Sequence, residues 1–124
     1  MRENEENYEL GSVRTTMKTR KVSLKNQGGY VVRMDFVYAD GETGDIKRVA
    51  GSRRNIALGN SEIQDPGAYG VPNGAAFTVH GDVVMGKDAT GAVWLIYDQS
   101  SGETASFTAS GAVFNSSISF TSLK

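Results

Sequence analysis

VPNGAAFTVHGDVVMGKDATGAVWLIYDQSSGETASF, residues 71–107, decides how the rest of the chain is read. Phe77, Val79, Gly81 and Val83 alternate with Thr78, His80, Asp82 and Val84. That period of two sends successive side chains to opposite faces of a strand. Residues 93–97 (VWLIY) do not alternate; a short apolar run ahead of the polar turn 98–102 predicts a strand covered on both faces. Alternation returns at 103–110, with Ala105, Phe107 and Ala109 on one face and Thr104, Ser106, Thr108 and Ser110 on the other.

The pattern extends in both directions. Residues 21–26 alternate, with Val22 and Leu24 against Lys21, Ser23 and Lys25. Gly28 and Gly29 then read as a hairpin turn. Residues 30–38 form the longest alternating strand, with Tyr30, Val32, Met34, Phe36 and Tyr38 on one face. Short strands are expected at 46–50 and 55–58, and a last one over 113–114 and 118–120. Between them, 59–74 holds both prolines, Pro66 and Pro72, with Gly59, Gly67, Gly70 and Gly74, and predicts a surface loop. The expected fold is therefore an all-β, antiparallel β-sandwich of about seven to nine strands, with aromatic and branched side chains, Trp94 among them, between the sheets. Residues 1–19 read as a polar N-terminal arm in which Leu10, Val13 and Met17 give only a weak helical spacing, and 20–124 as the single domain.

A chain of 124 residues is the size of one ordinary domain. Its 39% hydrophobic and 22% charged residues fit a globular protein. No apolar run approaches the roughly 20 residues of a membrane-crossing helix. The first ten residues are acidic and lack the apolar core of a signal peptide, yet a secreted or extracellular location is the expectation. With no cysteine there are no disulfides and no thiolate chemistry.

Charge is uneven along the chain. Residues 14–54 carry ten basic side chains against four acidic ones, while the flanking segments are acidic. One reading is a basic face for an anionic partner, with Lys47, Arg48, Arg53 and Arg54 as its candidates. Solvated strand faces without a partner, and contacts between subunits, are the other readings. Nucleic acid is disfavoured by a pI near 5.8.

Catalytic patterns are missing. His80 is the only histidine, and Asp82 is the only acid near it on its strand face, too few ligands for zinc. No serine lies in a G-x-S-x-G elbow, and no glycine segment matches a phosphate or dinucleotide loop. The carboxylates bunched at 40–45 lack calcium-loop spacing. Paired carboxylates for glycoside hydrolysis stay open, because their separation is a spatial property. A non-enzyme without cofactor or metal is the expectation.

The motifs VPNG (71–74), ATGAV (89–93), the strand 94–97, Gly102 and Phe107, with RKV (20–22) and NQGG (26–29) upstream, resemble the sea-anemone pore-forming cytolysins (actinoporins) and the fungal fruit-body lectins that share their sandwich. The resemblance spans roughly residues 20–115 and implies a non-enzymatic protein that recognises lipid headgroups or sugars, oligomerises and perforates membranes. The cytolysins' headgroup cluster of tyrosines and tryptophans has no counterpart at 108–115 (TASGAVFN), where Phe114 is the only aromatic. Their long amphipathic N-terminal helix is likewise unmatched by the polar arm.

The expected function is a recognition module working through loops, with Tyr69, Asn73, Tyr97, Phe114 and Asn115 as candidates for stacking on rings or choline and for hydrogen-bonding hydroxyls. Its partners would be a glycan or lipid headgroup at a membrane surface and further copies of the chain. The alternative is a structural subunit joined through the arm and strand edges.

Overall fold

The computed structural model describes residues 12–124. Among them are ten strands: β1 (Ser12–Thr19), β2 (Lys21–Asn26), β3 (Val32–Ala39), β4 (Ile46–Ala50), β5 (Ser61–Gln64), β6 (Ala76–Val83), β7 (Ala89–Thr90), β8 (Val93–Tyr97), β9 (Thr104–Ala112) and β10 (Asn115–Leu123). One sheet runs β1-β8-β6-β3-β4, with β7 paired to β6; the other runs β10-β9-β2-β5. The all-β sandwich expected from the sequence is present. Its strands are more numerous than expected, and the sheets are mixed: β1 lies parallel to β8, and β2 parallel to β9. Those partners are far apart in sequence, so no local pattern reports their direction.

The alternation explains the core. Val22 and Leu24, Met34 and Phe36, Phe77 and Val79, and Ala105, Phe107 and Ala109 all point between the sheets and are fully or almost fully buried. Phe36 meets Phe77 edge-on at 6.4 Å and Phe77 meets Tyr97 at 6.2 Å, geometries that aromatic quadrupoles favour. Leu95 faces this core, so its neighbour Trp94 points to the other side of the sheet. Trp94 is fully buried but lies outside the core cluster, so the expectation that it fills the sandwich is corrected. Covering on both faces of β8 is nonetheless what residues 94 and 95 display.

Local departures have local reasons. Residues 28–29 do not turn a hairpin: β2 and β3 belong to different sheets, and the chain crosses between layers there. The buried Asn26 holds that crossing, its Nδ2 donating to Tyr30 O at 2.6 Å and Ile56 O at 2.9 Å while its Oδ1 accepts from Gly28 N. The predicted strand at 55–58 is one bridge, Ile56 with Val32. The predicted loop 59–74 contains β5 and a 3-10 helix, Pro66–Tyr69, which starts at proline and is capped by the Asp65 side chain. Val113 and Phe114 form the turn ahead of β10 instead of belonging to it. Residues 12–19 of the presumed arm form β1, carrying Val13 and Met17 in a strand, while Leu10 and the rest of the arm lie outside the described residues.

Candidate functional site

Strand directions sort the connections into two ends. β2 and β9 finish, and β3 begins, at the end that carries the turns 27–31, 57–60, 84–88 and 113–114. The turns 40–45, 65–75 and 98–103 lie at the opposite end. This division separates the predicted ligand residues. Phe114 and Asn115 are at the first end; Tyr69, Asn73 and Tyr97 are at the second.

The second group is structural. Tyr97 is 4% exposed; its hydroxyl donates to Asp65 Oδ1 at 2.5 Å, and burial followed by that carboxylate pushes its pKa up to about 12. A ring held this way offers no stacking platform, so its assignment is corrected. Tyr69 lies half-buried over Phe36, 6.4 Å away and 24° from parallel, closing the core. Asn73 uses its side-chain oxygen to accept from Gln99 N at 2.9 Å.

The basic candidates are neutralised within the molecule. Asp35, 1% exposed, accepts from Arg48 at 2.8 Å and Arg53 at 2.7 Å, and its other oxygen accepts from Gly51 N. Arg53 also reaches Asp82 at 2.7 Å, and Lys47 pairs with Asp40 at 2.8 Å. Arg53 has a φ of 64°, a left-handed conformation unfavourable to residues with a β-carbon, which its two carboxylate partners help to hold. An open basic face is therefore not what these residues make. Arg54 differs: its side chain is 76% exposed and its guanidinium stays 3.8 Å from Glu62. His80, buried on the same sheet face as Asp35, contacts Thr90 and Asp88 at 3.0 Å through its two ring nitrogens. Burial holds its pKa below the ordinary value. Among the described residues no group of three acids, histidines or cysteines is placed to hold a metal.

The first end has a different chemistry. Met85 is 90% exposed, Phe114 72% and Leu58 65%, each at the tip of a turn. Sequence reading missed Leu58 and Met85. The available signal was an apolar residue followed directly by glycine where a turn would ordinarily be polar, at Leu58-Gly59 and Met85-Gly86. The turns are fastened together. Lys87 N donates to Val113 O at 2.8 Å, Gly29 N to Gly111 O at 3.0 Å, and Gly59 N to Asn26 O at 2.7 Å. Glycine is required at the join, since a β-carbon on Gly86 would collide with Val113. At Gly111, with a φ of 92°, an added β-carbon would likewise collide with the Asn115 carbonyl. Met85 itself sits at φ 55°, where methionine is strained yet remains almost wholly solvent-exposed. Lys25 and Lys87 are exposed close by, whereas Asp82 and Asp88 are engaged with Arg53 and His80.

No family model and no curated protein matches the chain. Among solved structures, the membrane-binding domain of pneumolysin is similar with a TM-score of 0.42 and 9% identity, covering 83% of this chain and 96% of that one. A trapped toxin follows at 0.41 and 13% identity over 85% of this chain, and a Gram-negative toxin at 0.39 and 13% over 82%. The chain spans only 23% and 22% of the length of those two. With every TM-score below 0.5, none of the three bears on what this chain binds.

Proposed function

We propose that this protein is a membrane-surface recognition module that docks through the end bearing Leu58, Met85 and Phe114. The observation that carries this reading is three large apolar side chains, each at least 65% exposed, at the tips of turns on one end of the sandwich. Exposed apolar tips on a rigid scaffold gain free energy by entering the boundary between headgroups and acyl chains, where phenylalanine and methionine are well suited. Lys25 and Lys87 beside them add attraction to anionic lipid, about 1 kcal/mol each near a charged surface. The hydrogen bonds between turns keep the three side chains together before contact, so little conformational freedom is lost on docking.

Flotation with vesicles of phosphatidylcholine and phosphatidylserine tests the reading. Wild-type protein floats with the vesicles, and a Met85→Ser, Phe114→Ser double variant stays at the bottom of the gradient. Equal flotation of the two proteins, or none by the wild type, overturns it.

A further inference from the structure

Of the four methionines in the sequence, three lie among the described residues, and their sulfurs have different surroundings. Met34 is fully buried in the core. Met17 is partly buried against that core, and its sulfur accepts from Arg14 at 4.0 Å. Met85 is 90% exposed. It holds the third position of the turn 83–86, which Gly86 N closes by donating to Val83 O at 3.2 Å, and its φ of 55° is one that glycine adopts without strain. Strain of this kind concentrates where a side chain has a use. The turn does not lean on that side chain. Val84 N donates to Val31 O at 2.9 Å and Lys87 N to Val113 O at 2.8 Å, so main-chain bonds on both sides of Met85 hold it in place. Chemistry at the thioether therefore alters the surface and leaves the scaffold as it is.

We infer, on the membrane reading above, that Met85 is a reversible oxidation site at which a peroxide turns docking off. The thioether sulfur attacks one oxygen of hydrogen peroxide. An S–O bond forms, the O–O bond breaks, the sulfur gives up two electrons, and the second oxygen leaves as water with both protons. The reaction needs approach to the sulfur, which Met85 allows and the core denies to Met34. The product, a sulfoxide, is a strong dipole whose oxygen accepts hydrogen bonds. Water satisfies that oxygen at an exposed tip, but acyl chains have no donor for it, and burying an unsatisfied acceptor is unfavourable. Oxidation thus converts one of the three tips from a group that favours the interface into one that favours water. Leu58 and Phe114 end in hydrocarbon that peroxide leaves untouched, so among these tips the change falls on Met85 alone. The step is reversed by a methionine sulfoxide reductase: two thiols become a disulfide, and the sulfoxide oxygen is released as water.

To test this, the full chain is treated with hydrogen peroxide, which catalase then removes, and peptide mass spectrometry reads where oxygen was taken up. Flotation on phosphatidylcholine and phosphatidylserine vesicles is compared before and after. Met85 takes up oxygen well ahead of Met17 and Met34, vesicle binding weakens about tenfold, in keeping with loss of one buried methionine side chain, and the urea midpoint does not move. Incubation with methionine sulfoxide reductase and dithiothreitol restores flotation. In Met85→Leu protein, peroxide makes no difference to flotation, whatever the affinity of that variant. Protein that carries the sulfoxide at Met85 and floats as before overturns the inference and leaves the membrane reading standing. So does a peroxide-dependent loss that persists in Met85→Leu, which places the sensitive group elsewhere, or uptake at Met34 as fast as at Met85. Failure of the unoxidised protein to float overturns the membrane reading, and the switch with it.

Discussion

The amide of Lys87 donates to the carbonyl of Val113 at 2.8 Å, and that bond sets the Met85 turn of one sheet against the Phe114 turn of the other. An apolar surface is assembled from segments that neither sheet presents alone.

Phe114→Ser is expected to weaken vesicle binding by at least tenfold, because full burial of a phenylalanine ring contributes about 1.5–3 kcal/mol. Stability should move by no more than about 0.5 kcal/mol, since the ring touches little within the protein. Flotation and a urea melt on the same preparation check both.

Met85→Gly should separate stability from binding. Glycine adopts a φ of 55° freely, so removing the strained side chain stabilises the fold by about 1 kcal/mol. The same change deletes an apolar tip. A higher melting temperature accompanied by weaker flotation is the expected result, and an unchanged affinity would count against a role for Met85.

Asp35→Asn removes the charge on which Arg48 and Arg53 converge. Two guanidinium groups then face a neutral, buried amide, a loss of about 3–5 kcal/mol. Arg54→Ala, at a side chain 76% exposed, should cost less than about 0.5 kcal/mol. Urea midpoints of the two variants measure the contrast.

His80 gives a pH dependence whose sign can be worked out. Burial lowers its pKa below 6.5, with the Asp88 hydrogen bond opposing that in part. The unfolded chain takes up a proton near 6.5 and the folded one only at lower pH, so the unfolded state binds more protons in that interval. Stability therefore falls as pH drops from 6.5 towards the folded value, and this residue contributes no slope above it. His80→Gln should flatten the fall in urea midpoints measured between about pH 7.5 and 5.

Much of the sandwich was legible because strand formation is announced locally. Phe77, Val79 and their neighbours alternate with polar residues whatever they pair with, and the bunched glycines and carboxylates at 40–45 do close a hairpin, with Asp40 N donating to Asp45 O at 2.7 Å. Residues 59–74 misled for a physical reason. A four-residue edge strand and a 3-10 turn are too short to establish a period, and glycine and proline dominate their surroundings. The candidate site was half legible: Phe114 could be named, but its partners Leu58 and Met85 come from turns 56 and 29 residues away in the chain.

The sequence by itself determined that this chain forms strands, and for most of them which side chains face inward, because a two-residue period is a property of neighbours. Tertiary structure alone decided that Tyr97 lies in the core while Phe114 faces solvent, that the arginines at 48 and 53 converge on the buried Asp35, and that three apolar tips share one end of the sandwich. Pairing direction and the end on which a turn emerges depend on contacts between distant residues, and no local spacing encodes those.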